Sequence, residues 1–176
     1  MTITYTLVNP QIKGSMKTQI KAENSLKAAK KLYGNLSEHF NNNVPAFYFT
    51  IQKGGSGNGK YYHFKVSEMR DGSEVDFTLE PIKIQNEKEQ MERFENKLKG
   101  FKKQYKRCEQ KGGAKSMETD SEDYDEKEMT IVSLLPTIYD WPIGYFWYDP
   151  YVFNLDFYYV PTFYPYITPF IEIVGI

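Results

Sequence analysis

One glycine-rich stretch has the residue spacing of a phosphate-binding loop. Gly54 to Lys60 reads GGSGNGK and matches the pattern GxxxxGK. That motif also requires Ser or Thr after the lysine to hold magnesium, and a helix whose N-terminal amides face the phosphates. Tyr61 stands at the Ser or Thr position, and the following residues, YYHFKV, alternate as a strand does. The stretch therefore predicts a glycine-rich hairpin loop and no phosphate site.

The residues that could bind a metal or act as a nucleophile are few: His39, His63 and Cys108. Neither histidine has a second His or Cys at ligand spacing, so we expect no metal and no cofactor. Cys108 has no companion motif for nucleophilic catalysis, and we interpret it as a surface or seam-edge residue. A single cysteine and the absence of a signal-peptide pattern at the start indicate a reducing compartment, cytosol or nucleus.

The C-terminal carboxylates are the remaining candidates for acid-base chemistry: Asp140, Asp149, Asp156 and Glu172. A carboxylate among aromatic rings can acquire a raised pKa and act as an acid. However, Asp140 precedes Trp141-Pro142 and Asp149 precedes Pro150, positions at which Asp side chains bind backbone amides and shape turns. We interpret these acids as turn-forming residues and predict that the protein is not an enzyme.

Residues 1–84 predict an α+β domain. Apolar residues alternate with polar ones in five predicted strands, and between the second and third the period changes to that of an amphipathic helix, Ser25–Phe40, which Asn41-Asn42-Asn43 ends. The order ββαβββ predicts an antiparallel sheet with one packed helix. The predicted strands are Ile3–Val8, Lys17–Ala22, Phe47–Gln52, Tyr62–Ser67 and Val75–Glu80.

Residues 85–110 predict a long amphipathic helix. Its apolar residues step by three and four positions and form a seam about two heptads long. We expect this seam to pack against the sheet of its own domain, and an intermolecular helix pair is the alternative. The seam consists of Met91, Phe94, Leu98, Phe101 and Tyr105.

The same helix is basic. Within 88–107 it carries eight Lys and Arg residues. Basic residues beside aromatic rings are typical of proteins that bind single-stranded nucleic acid. A nucleic-acid-binding protein acting through helix 88–107 is therefore the alternative function. The predicted linker at 111–130, glycines followed by a run of acid, would compete for this helix, and the densest aromatics lie in a segment without one cation.

The segment 131–176 is aromatic, rich in proline and free of Lys and Arg. Its prolines forbid a long helix and leave extended pieces joined by turns. Extended chain with large rings is what a peptide uses when it binds along another protein, while a mini-domain packed on the chain's own sheet is the competing interpretation. The predicted partner-binding residues are Trp141, Tyr145, Phe146, Trp147, Tyr148, Tyr151, Phe153, Phe157, Tyr158, Tyr159, Phe163, Tyr164, Tyr166 and Phe170.

Several stretches resemble a group of uncharacterised proteins encoded by nucleocytoplasmic large DNA viruses of the giant-virus type. They are TYTLVNP at Thr4–Pro10, KAENSLKAAKKLY at Lys21–Tyr33, the turn at Lys53-Gly54-Gly55, and above all WYDPYVFNLDFYYVPTFYPYITPFIEI at Trp147–Ile173. The resemblance implies a viral origin, replication in cytoplasmic factories and incorporation into the particle. No catalytic residue comes with it.

Together these observations predict a non-enzymatic interaction protein. We expect a virion-associated protein, a minor capsid or inner-virion component in the virion and host cytoplasm, anchored by its aromatic segment on a protein partner. Other capsid components or a second copy of the chain are the expected partners. No run of 18 apolar residues is present, so we expect no transmembrane segment.

Overall fold

A computed structural model describes residues 2–54, 59–71, 74–110, 142–164, 167 and 169–171, without the side chains of residues 74, 105 and 107–110. The described residues form eight strands, two helices and one 3-10 turn. The predicted linker at 111–130 lies outside them. The α+β class is confirmed, since five of the strands build an antiparallel sheet.

The large sheet consists of β1 Ile3–Asn9, β3 Gln19–Ala22, β4 Ala46–Lys53, β5 Tyr61–Asp71 and β6 Glu74–Ile82. Their order in the sheet is β3-β1-β4-β5-β6, and each neighbouring pair is antiparallel. The five predicted strands are all present, and Lys60 is followed by a strand, as the hairpin interpretation of the glycine-rich stretch requires.

Helix α1, Ser25–Ser37, packs its apolar face on the large sheet. It begins where predicted, because the side chain of Asn24 accepts a hydrogen bond from the Lys27 amide at 2.8 Å. The ring of Tyr33 reaches the sheet, 4.9 Å from the ring of Phe77, and its hydroxyl donates to the buried carboxylate of Glu68 at 2.5 Å. The helix ends before Phe40, which instead forms an isolated bridge with Phe163.

A second, three-stranded sheet joins the two ends of the chain. It has the order β2-β7-β8, formed by Gln11–Lys13, Tyr145–Tyr148 and Phe170–Ile171. β2 pairs antiparallel with β7, and β7 pairs parallel with β8. The sequence did not predict β2, because three residues are too few to establish an alternating pattern.

Strand β7 separates two hydrophobic clusters. Successive side chains of a strand point to opposite faces. Accordingly, Phe146 and Tyr148 join the cluster formed by α1 and the large sheet, while Trp147 joins the cluster formed with α2, Glu87–Gln110. The first cluster combines described residues of the predicted ranges 1–84 and 131–176, and the second combines those of 85–110 and 131–176. The boundaries between these ranges therefore do not separate independent cores.

The bend between β2 and β3 depends on Gly14. Its φ is +139°, a backbone conformation that favours glycine, and a Cβ built there would lie 2.6 Å from the carbonyl oxygen of Pro142. The chain on either side is fixed, because the Met16 amide donates to Pro142 at 2.8 Å and the Gly144 amide donates to Lys13.

Gly14→Ala is expected to destabilise the fold by about 2 kcal/mol or more, because the new methyl group is strained and has no space. The matched control is Gly100→Ala on α2, where a Cβ meets nothing within 4 Å. This control should stabilise the protein by about 1 kcal/mol through helix propensity. Urea unfolding of the two variants measures both changes in the free energy of unfolding. Equal changes would contradict the conclusion that the bend depends on Gly14.

Candidate functional site

Four of the predicted partner-binding rings are buried in the chain itself. Each is 1% exposed: Phe146, Trp147, Tyr148 and Phe163. Phe163 packs 5.4 Å from Phe40 and 4.9 Å from Phe146, measured between ring centroids. In this structure these four rings are covered by the chain's own core. The prediction that they bind a partner is therefore corrected, and the competing interpretation, packing on the chain itself, describes them.

The seam of α2 is also covered within the chain. Trp147 stacks on both Phe94 and Phe101, with centroids 5.6 and 5.8 Å apart. Phe101 additionally lies 5.2 Å from Tyr145 and 5.2 Å from Phe170. Met91 and Leu98 are buried in the same cluster, and the side chain of Tyr105 lies outside the described residues. The expectation of packing within the chain holds, although much of the covering surface is the small sheet and not the large one.

The other predicted rings divide by exposure. Tyr145, Phe153, Tyr158 and Phe170 are half-buried. Trp141 and Tyr166 lie outside the described residues. Four rings are exposed: Tyr151 at 38%, Phe157 at 71%, Tyr159 at 38% and Tyr164 at 78%.

Three of these exposed rings come from one short segment. Phe157, Tyr159 and Tyr164, with the exposed Val160, form what we call the aromatic surface. The rings of Phe157 and Tyr159 meet edge to face at 5.2 Å. Between them Tyr158 turns inward, with its ring centroid 6.4 Å from that of Tyr148. The segment thus attaches to the core on one side and exposes large rings on the other.

Two asparagines after α1 hold this segment in place. The side chain of Asn42 donates to the Val160 carbonyl at 2.8 Å and accepts from the Thr162 amide at 2.8 Å. Asn41 uses its backbone amide for the Thr162 carbonyl at 2.9 Å and its side chain for the Phe163 carbonyl at 3.2 Å. A backbone fixed in this way has little conformational entropy of its own to lose when a partner binds.

Sequence reasoning missed this role of the asparagines. It interpreted Asn41-Asn42-Asn43 as a helix stop, which is what Asn after an amphipathic helix ordinarily indicates. An Asn side chain both donates and accepts, so it can pair with an extended backbone as another strand would. The signal that could have suggested this is the run of consecutive Asn residues, longer than a helix stop needs.

Asp149 has a structural role. Its carboxylate accepts from the Tyr151 amide at 3.0 Å and so caps the 3-10 turn Pro150–Phe153, as predicted for a turn-forming acid. Its backbone pairs with Asn9, whose side chain donates to the Asp149 carbonyl at 2.7 Å and accepts from the Asp149 amide at 3.0 Å. Burial raises the pKa of the Asp149 carboxyl, although Lys97, 3.7 Å away, opposes that shift. Asp140 and Glu172 lie outside the described residues.

His63 is buried on the face of the large sheet that α2 approaches. Its Nδ1 lies 2.8 Å from the hydroxyl of Thr50, and its Nε2 lies 3.8 Å from the carboxylate of Glu87. Burial lowers the pKa of His63 from 6.5 to about 4, because the imidazolium would lose its hydration.

No metal centre is formed by the described residues, since no three His, Cys, Asp or Glu side chains among them converge. In the described ranges neither helix has an apolar stretch long enough to cross a bilayer.

A protein of Acanthamoeba polyphaga mimivirus, described only as uncharacterised, is 39% identical to this chain over 122 residues. This match confirms the resemblance to uncharacterised giant-virus proteins. The match covers 68% of the chain and 63% of the relative, so the chain spans less than two thirds of the relative's length. No protein-family model matches the chain, and no solved structure matches it.

Phe163→Ala is expected to destabilise the fold by about 3–5 kcal/mol, because it leaves a cavity between Phe40 and Phe146. Phe157→Ala removes the same group from a side chain that is 71% exposed, and it should change stability by less than about 0.5 kcal/mol. Chemical denaturation of the pair measures the difference. Similar losses for both variants would mean that the aromatic surface is itself part of a core.

His63 should make the fold less stable below pH 6.5. Because its folded pKa is about 4 and its unfolded value 6.5, the unfolded chain binds a proton that the folded chain excludes. The free energy of unfolding should therefore fall by about 2 kcal/mol between pH 7.5 and pH 5. His63→Gln should flatten this dependence in urea titrations over that range, and a curve unchanged by the substitution would contradict the assignment.

Proposed function

We propose that the protein is a non-enzymatic interaction protein that binds a protein partner through the aromatic surface. The observation that carries the proposal is the exposure of Phe157 and Tyr164, at 71% and 78%, on a backbone held by Asn41 and Asn42. Large rings supply much of the binding energy of protein interfaces, and a fixed backbone keeps the entropic cost of binding low. A partner that covered these rings would remove their apolar surface from water, which favours binding.

Sequence similarity to a giant-virus protein supports a more specific proposal. In it, the protein is a component of the virus particle, either a minor capsid protein or an inner-virion protein. The expected partner is then another particle component or a second copy of the chain, met in the host cytoplasm. The alternative, nucleic-acid binding through the basic helix, predicts an affinity that falls steeply with salt, whereas ring burial depends on salt weakly.

A triple variant tests the proposal: Phe157→Ser, Tyr159→Ser and Tyr164→Ser together. It should keep the thermal unfolding midpoint of the parent and lose association, measured as self-association by light scattering and as recovery of the tagged chain in purified particles from infected cells. Deleting the whole segment is a poor test, because it also removes the buried rings of β7 and Phe163.

The matched control is the double variant Leu26→Ser and Met69→Ser, which removes two exposed apolar side chains outside the aromatic surface, 48% and 77% exposed. It should associate as the parent does. The proposal fails if the triple variant is folded and still enters particles at the parental level, or if the parent neither associates nor enters particles.

A further inference from the structure

A cavity of about 550 Å³ lies between the large sheet and α2, apart from the aromatic surface. This volume is in the range of small-molecule sites. The buried apolar residues Leu7, Phe94 and Leu98 line part of it, and the polar residues Thr6, Gln11 and Gln19 line another part. A polar cavity of this size can take a ligand that makes several hydrogen bonds.

Lysines also line the cavity. Lys99 and Lys102 are three positions apart on α2 and therefore lie on one face of the helix, and both are exposed. Lys106 is one further turn along, and it and Lys13 of β2 are near enough for their charges to lower the pKa of Lys102, in addition to the larger effect of desolvation. Two lysines thus line the cavity, and two more, one of α2 and one of β2, lie near Lys102.

The described residues leave most of this charge uncompensated. None of the ion pairs formed between them involves Lys99, Lys102 or Lys106. Clustered like charges repel one another, and a cleft lined by one sign of charge concentrates ions of the other sign. The arrangement is therefore favourable for an anion.

Glu95 limits which anion fits. It lines the same cavity one turn before Lys99, and one of its oxygens accepts a hydrogen bond from the Tyr61 hydroxyl. A ligand that was anionic along its whole length would meet this carboxylate and be repelled. A ligand with its charge at one end and hydrogen-bond donors at the other would place the anion at the lysines and the donors near Glu95.

We propose that this cavity binds a phosphorylated small molecule of nucleotide size, with phosphates on Lys99 and Lys102 and the uncharged part beside Gln11, Gln19 and Glu95. Ammonium groups bind phosphate oxygens through charge-assisted hydrogen bonds. This site is independent of the aromatic surface, and its occupation does not require the proposed partner.

The test uses isothermal titration calorimetry on the full chain at low salt, with adenosine triphosphate as the probe. Lys99→Gln with Lys102→Gln should weaken binding at least about tenfold, because two charged hydrogen-bond donors are lost. Lys88→Gln with Lys103→Gln removes the same charge from exposed positions of α2 outside the cavity, and should change the affinity less than about twofold.

Two further measurements separate the cavity from general attraction to polyanions. Gln19→Ala should weaken the binding of adenosine triphosphate about threefold and leave the affinity for tripolyphosphate unchanged, since only the nucleotide reaches the Gln19 amide. Adenosine without phosphate should not bind detectably.

Three outcomes overturn the proposal. The first is no binding of adenosine triphosphate, and the second is equal loss in the two lysine double variants. The third is that a short single-stranded oligonucleotide binds more tightly than adenosine triphosphate, with an affinity that Gln19→Ala leaves unchanged. That result would show that α2 binds a nucleic-acid strand.

Discussion

Alternate side chains of β7 enter two different hydrophobic clusters, and most of the other packing depends on this. Phe146 and Tyr148 complete the cluster under α1, while Trp147 is enclosed by Phe94 and Phe101 of α2. Fully burying each such ring stabilises the folded state by roughly 2–3 kcal/mol. The strand is held in register by β2 on one side and β8 on the other. Without β7 the seam of α2 would lose the rings that cover it.

The aromatic surface follows from the same arrangement. Burial of Phe163 against Phe40 fixes one end of the exposed segment, and the turn capped by Asp149 fixes its start. Asn41 and Asn42 then bind the backbone between these points. The exposed rings therefore depend on buried ones for their position. A core substitution at Phe163 would disturb the surface as well as stability.

The large sheet and both helices could be predicted from the sequence because their side chains repeat with the period of the element. Leu32 and Leu36 define a helix face, and Phe47, Phe49 and Ile51 define a strand face, whatever covers them. The aromatic segment could not be assigned in this way. Alternation of rings from Tyr145 to Tyr148 is equally suited to a partner's groove and to the chain's own core, since both require extended backbone and apolar pockets. Which surface covers it depends on contacts between residues more than one hundred positions apart, as between Asn9 and Asp149.

The pairing of β2 with β7 also constrains the order in which the chain can fold. Gln11–Lys13 can meet Tyr145–Tyr148 only after some 130 further residues have been made. Contacts so distant along the chain are intrinsically slow to form. Until then Phe40, Phe47 and the seam of α2 lack the rings that cover them, and transiently exposed apolar surface of this kind promotes aggregation. During synthesis these apolar side chains therefore stay uncovered until Tyr145–Tyr148 has left the ribosome.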